Sequence, residues 1–331
     1  MTFWPPSRPT LIVLIGAVLL LLLPPIAEAL RQPFVISVAT RVVILALVTV
    51  SLDLLIGFGG MVSLGHAAFF GAGAYATALL TQLAAAGKPL VWGWVPPVEG
   101  LAVWTIAIVV AALFGLVIGA LALRTSGFNF IMITLAFAQM VLFLASLREL
   151  GGDDGLRIPV RNTVVGFSIE SQTALYYVSL VALALYLFLC DRIVHSRFGL
   201  VLQAIAQNPR RAHALGYRVY SYRLVTFVIG AAGAGLAGAL IANHARYVSP
   251  DLLMWTRSAE IMIMVILGGK GTLFGAVLGA AVLLLLEEFL IGLTEHWQVI
   301  LGPILLVVVL TARRGLFGLL AGSRGGGGGH G

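Results

Sequence analysis

Charge is what this sequence has least of. Acidic and basic residues number 33 of 331 (20 Lys and Arg plus 13 Asp and Glu), or 10% of the chain, against about 25% in soluble globular proteins. So few charges cannot wet the surface of a compact body this size, which excludes a soluble enzyme, a disordered chain and a nucleic-acid binder. A single cysteine, Cys190, excludes an internal disulfide and any cysteine-cluster metal site. Also missing are a phosphate-cradling Gly-x-x-x-x-Gly-Lys-Ser/Thr loop, a Gly-x-Ser-x-Gly elbow and a His-Glu-x-x-His pair. The chain thus has no recognisable site for ATP hydrolysis or hydrolytic chemistry, and no catalytic residue, metal or cofactor is assigned to it. If it drives transport, the energy comes from a partner or an ion gradient.

What fills the space is apolar: 60% of residues are hydrophobic and mean hydropathy is +1.05. Length alone suggests two soluble domains, but runs of about 20 apolar residues, each enough to cross a bilayer, replace that with one polytopic domain. Ten candidate spans are read at 10–30, 34–57, 61–84, 100–123, 128–147, 172–190, 222–243, 258–268, 272–293 and 297–312. The predicted fold is an all-α polytopic integral membrane bundle. The first run, behind Arg8, resembles a signal peptide; it is long, is broken by Pro24 and Pro25 and lacks a clear small-residue cleavage site, so it is read as an uncleaved helix. The eighth, opening with Arg257 and Glu260, reads as a half-helix or tilted span. The chain divides into an N-terminal tail and first span (1–33), a transmembrane body (34–318) and a flexible Gly-rich tail (319–331).

Charge sets the orientation. With the N-terminus in the cytoplasm, ten crossings leave Arg8, Arg124, Arg192, Arg197, Arg210, Arg211, Arg218, Arg223, Lys270, Arg313, Arg314 and Arg324 inside. Arg31, Lys88, Arg148, Arg157, Arg161, Arg246 and Arg257 fall outside, with the acidic Glu28, Glu99, Glu149, Asp153, Asp154, Glu170 and Asp251. This is the asymmetry expected when Lys and Arg resist translocation. The net charge of +7 therefore marks cytoplasmic loops, not a nucleic-acid partner. The prediction is a multi-pass protein of the cell (inner) membrane with both termini cytoplasmic.

Two loops stand out. The outer one, Arg148 to Ser171, holds Gly-Gly-Asp-Asp-Gly at 151–155, which has too few ligands for an EF-hand and reads as a solvated turn or docking surface. The inner one, Asp191 to Tyr222, carries six arginines. Leu202, Ile205 and Ala206 follow helical spacing; Asn208 and Pro209 then suit an N-cap and first helical position, and Gly216 a C-terminal stop. Two short helices on the inner membrane face follow, read either as an interfacial anchor to anionic lipid or as a plug docking in a cytoplasmic partner. The candidate contact residues of such a plug are Gln203, Ala206, Gln207, Asn208, Pro209, Arg210, Arg211, Ala214 and Gly216.

The stretch Leu52 to Tyr75 is rich in glycine (Gly57, Gly59, Gly60, Gly65, Gly71, Gly73), which permits close helix approach and a break in the helix. Ser63 and His66 sit beside that break and Asp53 just before it. An intramembrane ionisable group is a functional candidate by default, although a histidine there also serves as an interhelical hydrogen-bonder. Gly59-Gly60-Met-Val-Ser63-Leu64 is echoed by Gly268-Gly269-Lys-Gly271-Thr272-Leu273, a Gly-Gly-x-x-Ser/Thr-Leu repeat of the sort transporter folds contain. Gly57, Gly59, Gly60, Gly65, Gly268, Gly269, Gly271 and Gly275 are read as hinge or packing positions. Ser63, His66, Tyr75, Asn129, Thr134 and Gln139 are candidates for a translocation path. Gly230–Gly238 reads as tight packing. Arg41, Glu260, Glu287 and Glu288 are further buried polar groups, read as mostly structural, and the intramembrane carboxylates as too scattered for a proton relay.

Leu52–Tyr75, Leu123–Met140, Gly151–Gly155, the loop ending Ala214-Leu-Gly216, Tyr247–Pro250, Met264–Gly275 and Thr294–Gln298 together resemble the LivM-type permease subunit of branched-chain amino acid ABC importers. The similarity covers roughly Leu52 to Gly315. It implies a pseudo-symmetric sister permease, two cytoplasmic ATP-binding subunits that use the ATP and Mg, and an extracytoplasmic solute-binding protein. It also implies that 196–216 is the coupling segment resting on an ATPase; Gln207-Asn208-Pro209-Arg210 departs from the family, which usually has an acidic residue there. Relatives of this subunit type include urea and short-chain amide permeases, so the solute stays open. A stand-alone secondary transporter would call for paired mid-membrane carboxylates, for which Asp53, Glu260, Glu287 and Glu288 are the only candidates, and a membrane enzyme for a catalytic constellation that the dispersed histidines do not form.

Overall fold

The computed structural model describes residues 8–29, 31–87, 99–164, 167–294, 296, 299–305 and 315–320. Its long elements are helices: α1 (Arg8–Ala29), α2 (Pro33–Asp53), α3 (His66–Ala85), α4 (Gly100–Ala122), α5 (Phe128–Ala145), α6 (Gln172–Val194), α7 (Arg197–Gln207), α8 (Pro209–Ala214), α9 (Val219–Ala245), α10 (Trp255–Gly268) and α11 (Leu273–Ile291). Residues 299–305 are helical and a final helix spans Gly315–Leu320. Among the described residues, seven helices are long and apolar enough to cross a membrane: α2 with its extension, α3, α4, α5, α6, α9 and α11. The chain is a multi-pass, all-α membrane bundle.

The core sits where helices are apolar on every side. Every residue from Val42 to Leu55 is buried, so α2 is the central pillar, as a helix without a polar face must be. α6, α11 and α9 pack around it, and α3 and α4 in turn pack against α9. In lipid these contacts gain nothing from expelling water, so they depend on close packing. Glycine supplies it: a Cβ at Gly73 would strike the Gly235 backbone, and one at Gly238 the Phe70 carbonyl. By contrast only 22% of the apolar window of α5 is buried, against 78% for α2 and 72% for α3.

Three expectations are corrected. Pro24 and Pro25 do not break α1, which runs through them to Ala29. Two prolines deprive the carbonyls four residues earlier of their donors, and α6 replaces them: the Tyr176 hydroxyl donates to Leu20 O at 2.6 Å and the Tyr177 hydroxyl to Leu21 O at 3.4 Å. The third span starts at His66 rather than 61, because residues 59–65 are a non-helical loop in which Gly60 adopts φ +65°. The span count is also lower than ten among the described residues. α10, with 14 residues, reaches only about 21 Å at 1.5 Å per residue. The short 3-10 turn Pro250–Leu253 before it makes up the depth, burying Leu253 against Gly71 of α3. Irregular backbone at depth is tolerated where protein covers it, which gives the half-helix that the polar start of this segment suggested. The tenth candidate, 297–312, and the tail lie largely outside the described residues, although Leu319 and Leu320, read as tail, belong to the final helix.

Successive spans bring the loops together at two opposite ends. One end gathers α7, α8, the loop after α2 and the α10–α11 turn. The other gathers four two-residue strands: β1 (Leu156–Arg157) pairs antiparallel with β4 (Tyr247–Val248), and β2 (Thr163–Val164) with β3 (Phe167–Ser168). Gly-Gly-Asp-Asp-Gly there is a turn, with Gly151 at φ +99°, Gly155 at φ +68° and both aspartates exposed.

Candidate functional site

At the first end, α7 packs by its apolar face. Leu202 and Ile205 are fully buried, Gln203 donates to Val194 O at the end of α6 (3.3 Å), and Ser196 caps the helix by accepting from Gly199 N. That face packs on the bundle, while Leu200 and Ala204 are exposed. Asn208 caps α8 as its sequence suggests, Oδ1 accepting from Arg211 N at 3.0 Å with Pro209 at the first position. The helix stops in a Schellman turn: Gly216, at φ +89°, donates to His213 O, and Tyr217 N to Ala212 O. Gln207, Asn208, Pro209, Arg210, Arg211, Ala214 and Gly216 are all exposed, beside Leu215 at 71% exposure. The result is a rigid, basic knob with an apolar tip.

The knob rests on the glycine loops. Ala206 lies against Gly60, where a Cβ would meet it at 3.2 Å, and Gly57 lies directly against the Gly271 backbone. The helix breaks here by widening: Leu54–Phe58 form a π turn, and Asp53, fully buried, accepts from Gly271 N at 2.7 Å. The two Gly-Gly repeats are thus neighbours in space. Gly268 and Gly275 close the second hairpin backbone against backbone, Gly269 adopts φ +112°, and Gly59 is buried over the Leu55 carbonyl.

The path candidates divide into two sets. Ser63 and His66 are fully buried; Ser63 Oγ accepts from Gly65 N at 3.2 Å, and His66 Nε2 is 2.8 Å from Ser51 Oγ. Gly65 backs onto the Thr134 carbonyl, and Thr134 bonds back to Ile131 O of its own helix. Tyr75 is buried with no hydroxyl partner among the described residues. Asn129 and Gln139 instead lie exposed along α5 with Met132, Ala136 and Phe143, a seam at helical spacing that does not join Ser63 and His66 in one pocket.

Sequence reasoning missed the polar lock at the opposite end. Arg161 Nε donates to Asn243 O (3.0 Å) and its Nη1 to Glu170 O (2.7 Å). Asn162 N donates to Asn243 Oδ1 (3.1 Å) and its amide to Thr81 Oγ1 (3.0 Å), while Arg246 pairs with Glu170. Burial lowers the pKa of the Arg161 guanidinium, Arg246 lowers it further and Glu170 opposes them. Asn243, polar in an apolar span, was a legible signal; Arg161 and Asn162 in a loop were not.

The charges read as scattered also gather. Arg41 of α2 stands 3.6 Å from Glu287 of α11, and Arg257 2.7 Å from Glu260 on α10. A separate groove of about 540 Å³ between α1, α2, α6 and α11, lined by residues such as Leu20, Val43, Leu183 and Leu278, has the chemistry of an acyl-chain site rather than a polar-solute site.

The model of the branched-chain amino acid transport system permease component matches residues 34–310. The chain is 28% identical over 322 residues to the high-affinity branched-chain amino acid permease LivM of Escherichia coli K12, covering 87% of this chain and 72% of that protein. It is equally 28% identical to LivH of the same organism over 284 residues, 82% of this chain and 91% of that one. The probable LivM of Methanocaldococcus jannaschii matches at 28% over 214 residues, 62% of this chain and 59% of that one. No solved structure matches significantly. A match across seven of its long helices, from the buried pillar α2 to α11, places the chain in the family of permease components of branched-chain amino acid transport systems.

Proposed function

We propose that this chain is the LivM-type half of an ATP-driven importer of branched-chain amino acids. It works with a sister permease, two cytoplasmic ATP-binding subunits and an extracytoplasmic binding protein. The end carrying α7 and α8 faces the cytoplasm, as its arginines favour, and the strand-tied end faces the binding protein. ATP binding moves the ATPases, which push on the α8 knob. Through Ala206 and Gly60 the push reaches the π turn and the α10–α11 hairpin, where glycine surfaces let helices slide. The solute passes along the exposed α5 seam of Asn129 and Gln139 against the sister subunit, with Ser63, His66 and Thr134 holding the break and Tyr75 beside it.

One observation carries this reading: an exposed basic helix of Arg210 and Arg211, rigidly capped at both ends and seated on the glycine hinge. The test is the complete importer in proteoliposomes. Ala206→Asp places a charge against Gly60; uptake of leucine is expected to fall at least tenfold while ATP hydrolysis persists. Undiminished uptake per ATP contradicts the coupling role.

A further inference from the structure

Charge within the helical spans has a pattern that the coupling mechanism does not use. α3, α4 and α5 carry no Asp, Glu, Lys or Arg at all. Asp53 is occupied by the Gly271 amide. Apart from Arg8, Glu28, Asp191, Arg192 and Arg223 near the ends of α1, α6 and α9, what remains gathers on α2, α10 and α11. Arg41 lies eight residues into α2, about 12 Å from its start, and Glu287 four residues from the end of α11, about 6 Å. Both ends belong to the binding-protein side, and Arg257 and Glu260 stand close enough for their charges to act on Glu287.

The Arg41–Glu287 pair is not a closed tie. At 3.6 Å it is too long for a hydrogen bond, and among the described residues neither side chain makes one. Arg41 is 35% exposed and Glu287 13%, so both can be reached from beside the bundle. Arg257 and Glu260, by contrast, close on each other at 2.7 Å within one helix. An opened pair of opposite charges has net charge zero. A carboxylate alone or an amine alone would leave it unbalanced at a depth where unbalanced charge is costly. A ligand carrying both would not.

We propose that Arg41 and Glu287 form a station for the zwitterionic head of an α-amino acid, the carboxylate bridged by the guanidinium fork and the ammonium held by Glu287. The station rests on the reading of this chain as an amino acid permease and names the groups that would select the zwitterion. A zwitterionic phospholipid headgroup offers the same chemistry, and the lipid composition of the test separates the two.

The experiment uses the complete importer in vesicles of phosphatidylglycerol alone, with leucine-loaded binding protein. Arg41→Gln, Glu287→Gln and the double variant are compared for uptake and for ATP hydrolysis stimulated by the loaded binding protein. All three are expected to lose at least tenfold in leucine uptake with stimulated hydrolysis within twofold of the parent, and Arg41→Lys to recover part of the loss. A merely structural ion pair is relieved when both charges go, so full uptake by the double variant overturns the station while leaving the permease reading intact. Loss of the difference between parent and variants in phosphatidylglycerol assigns the pair to lipid and overturns it too. A parent importer that moves a neutral amide but no amino acid overturns both station and reading.

Discussion

The two ends of this bundle are built from different materials. At the end bearing α7 and α8, backbone meets backbone: Gly57 on Gly271, Gly268 on Gly275, Gly60 on Ala206, with Asp53 to Gly271 the side-chain hydrogen bond that joins the two hairpins. At the strand end the joints are directional: Arg161, Asn162, Asn243 and Thr81 lock residues 161–162 to α3 and α9. Van der Waals surfaces without side chains slip by an ångström at small cost. A buried hydrogen-bond network does not, because each broken partner keeps its desolvation penalty. The difference suits one end to movement and the other to holding a shape.

Five substitutions sharpen that contrast. Arg161→Met removes two charge-assisted bonds and should cost about 3 kcal/mol, read as a lower unfolding temperature in detergent; an unchanged melt would mean the strand end is not a lock. Gly57→Ala pushes a Cβ into the Gly271 backbone, an overpacking cost of about 2 kcal/mol, and should abolish most ATP-driven uptake while the protein still assembles. Equal losses of stability and uptake at both positions would erase the contrast. Tyr176→Phe leaves the Leu20 carbonyl beneath Pro24 unpaired, for about 1.5 kcal/mol, and Tyr177→Phe should cost less, since its bond is 3.4 Å long; melts of the two single variants check the order. Asn208→Ala removes the α8 cap and about 1 kcal/mol of local stability, visible as faster amide exchange across Arg210–Ala214 and as less uptake per ATP.

Much of the fold was legible because hydrophobic length reports spans directly. The break between α7 and α8 and the stop after α8 were legible, though the helix bounds were not, since Asn208, Pro209 and Gly216 each have a local backbone reason to be where they are. The run through Pro24 and Pro25 was not, because the rescue comes from Tyr176 and Tyr177, about 150 positions away in sequence. The break at residues 59–65 was foreseen from its glycines, but its extent was not, since Met61, Val62 and Leu64 read as helix when only hydropathy is counted. Arg41 and Glu287 read as separate polar intrusions; their meeting depends on α2 packing against α11, which periodicity does not encode.

Everything rests on which side of the membrane presents the α8 knob, and thiol labelling measures that directly. The native Cys190 is buried, so a cysteine at the exposed Arg210 or Ala214 supplies the reactive thiol. With an impermeant maleimide the account predicts no labelling in intact cells, strong labelling in inverted vesicles stripped of their ATPases, and protection when those subunits are restored. Labelling from the outside of intact cells would contradict it.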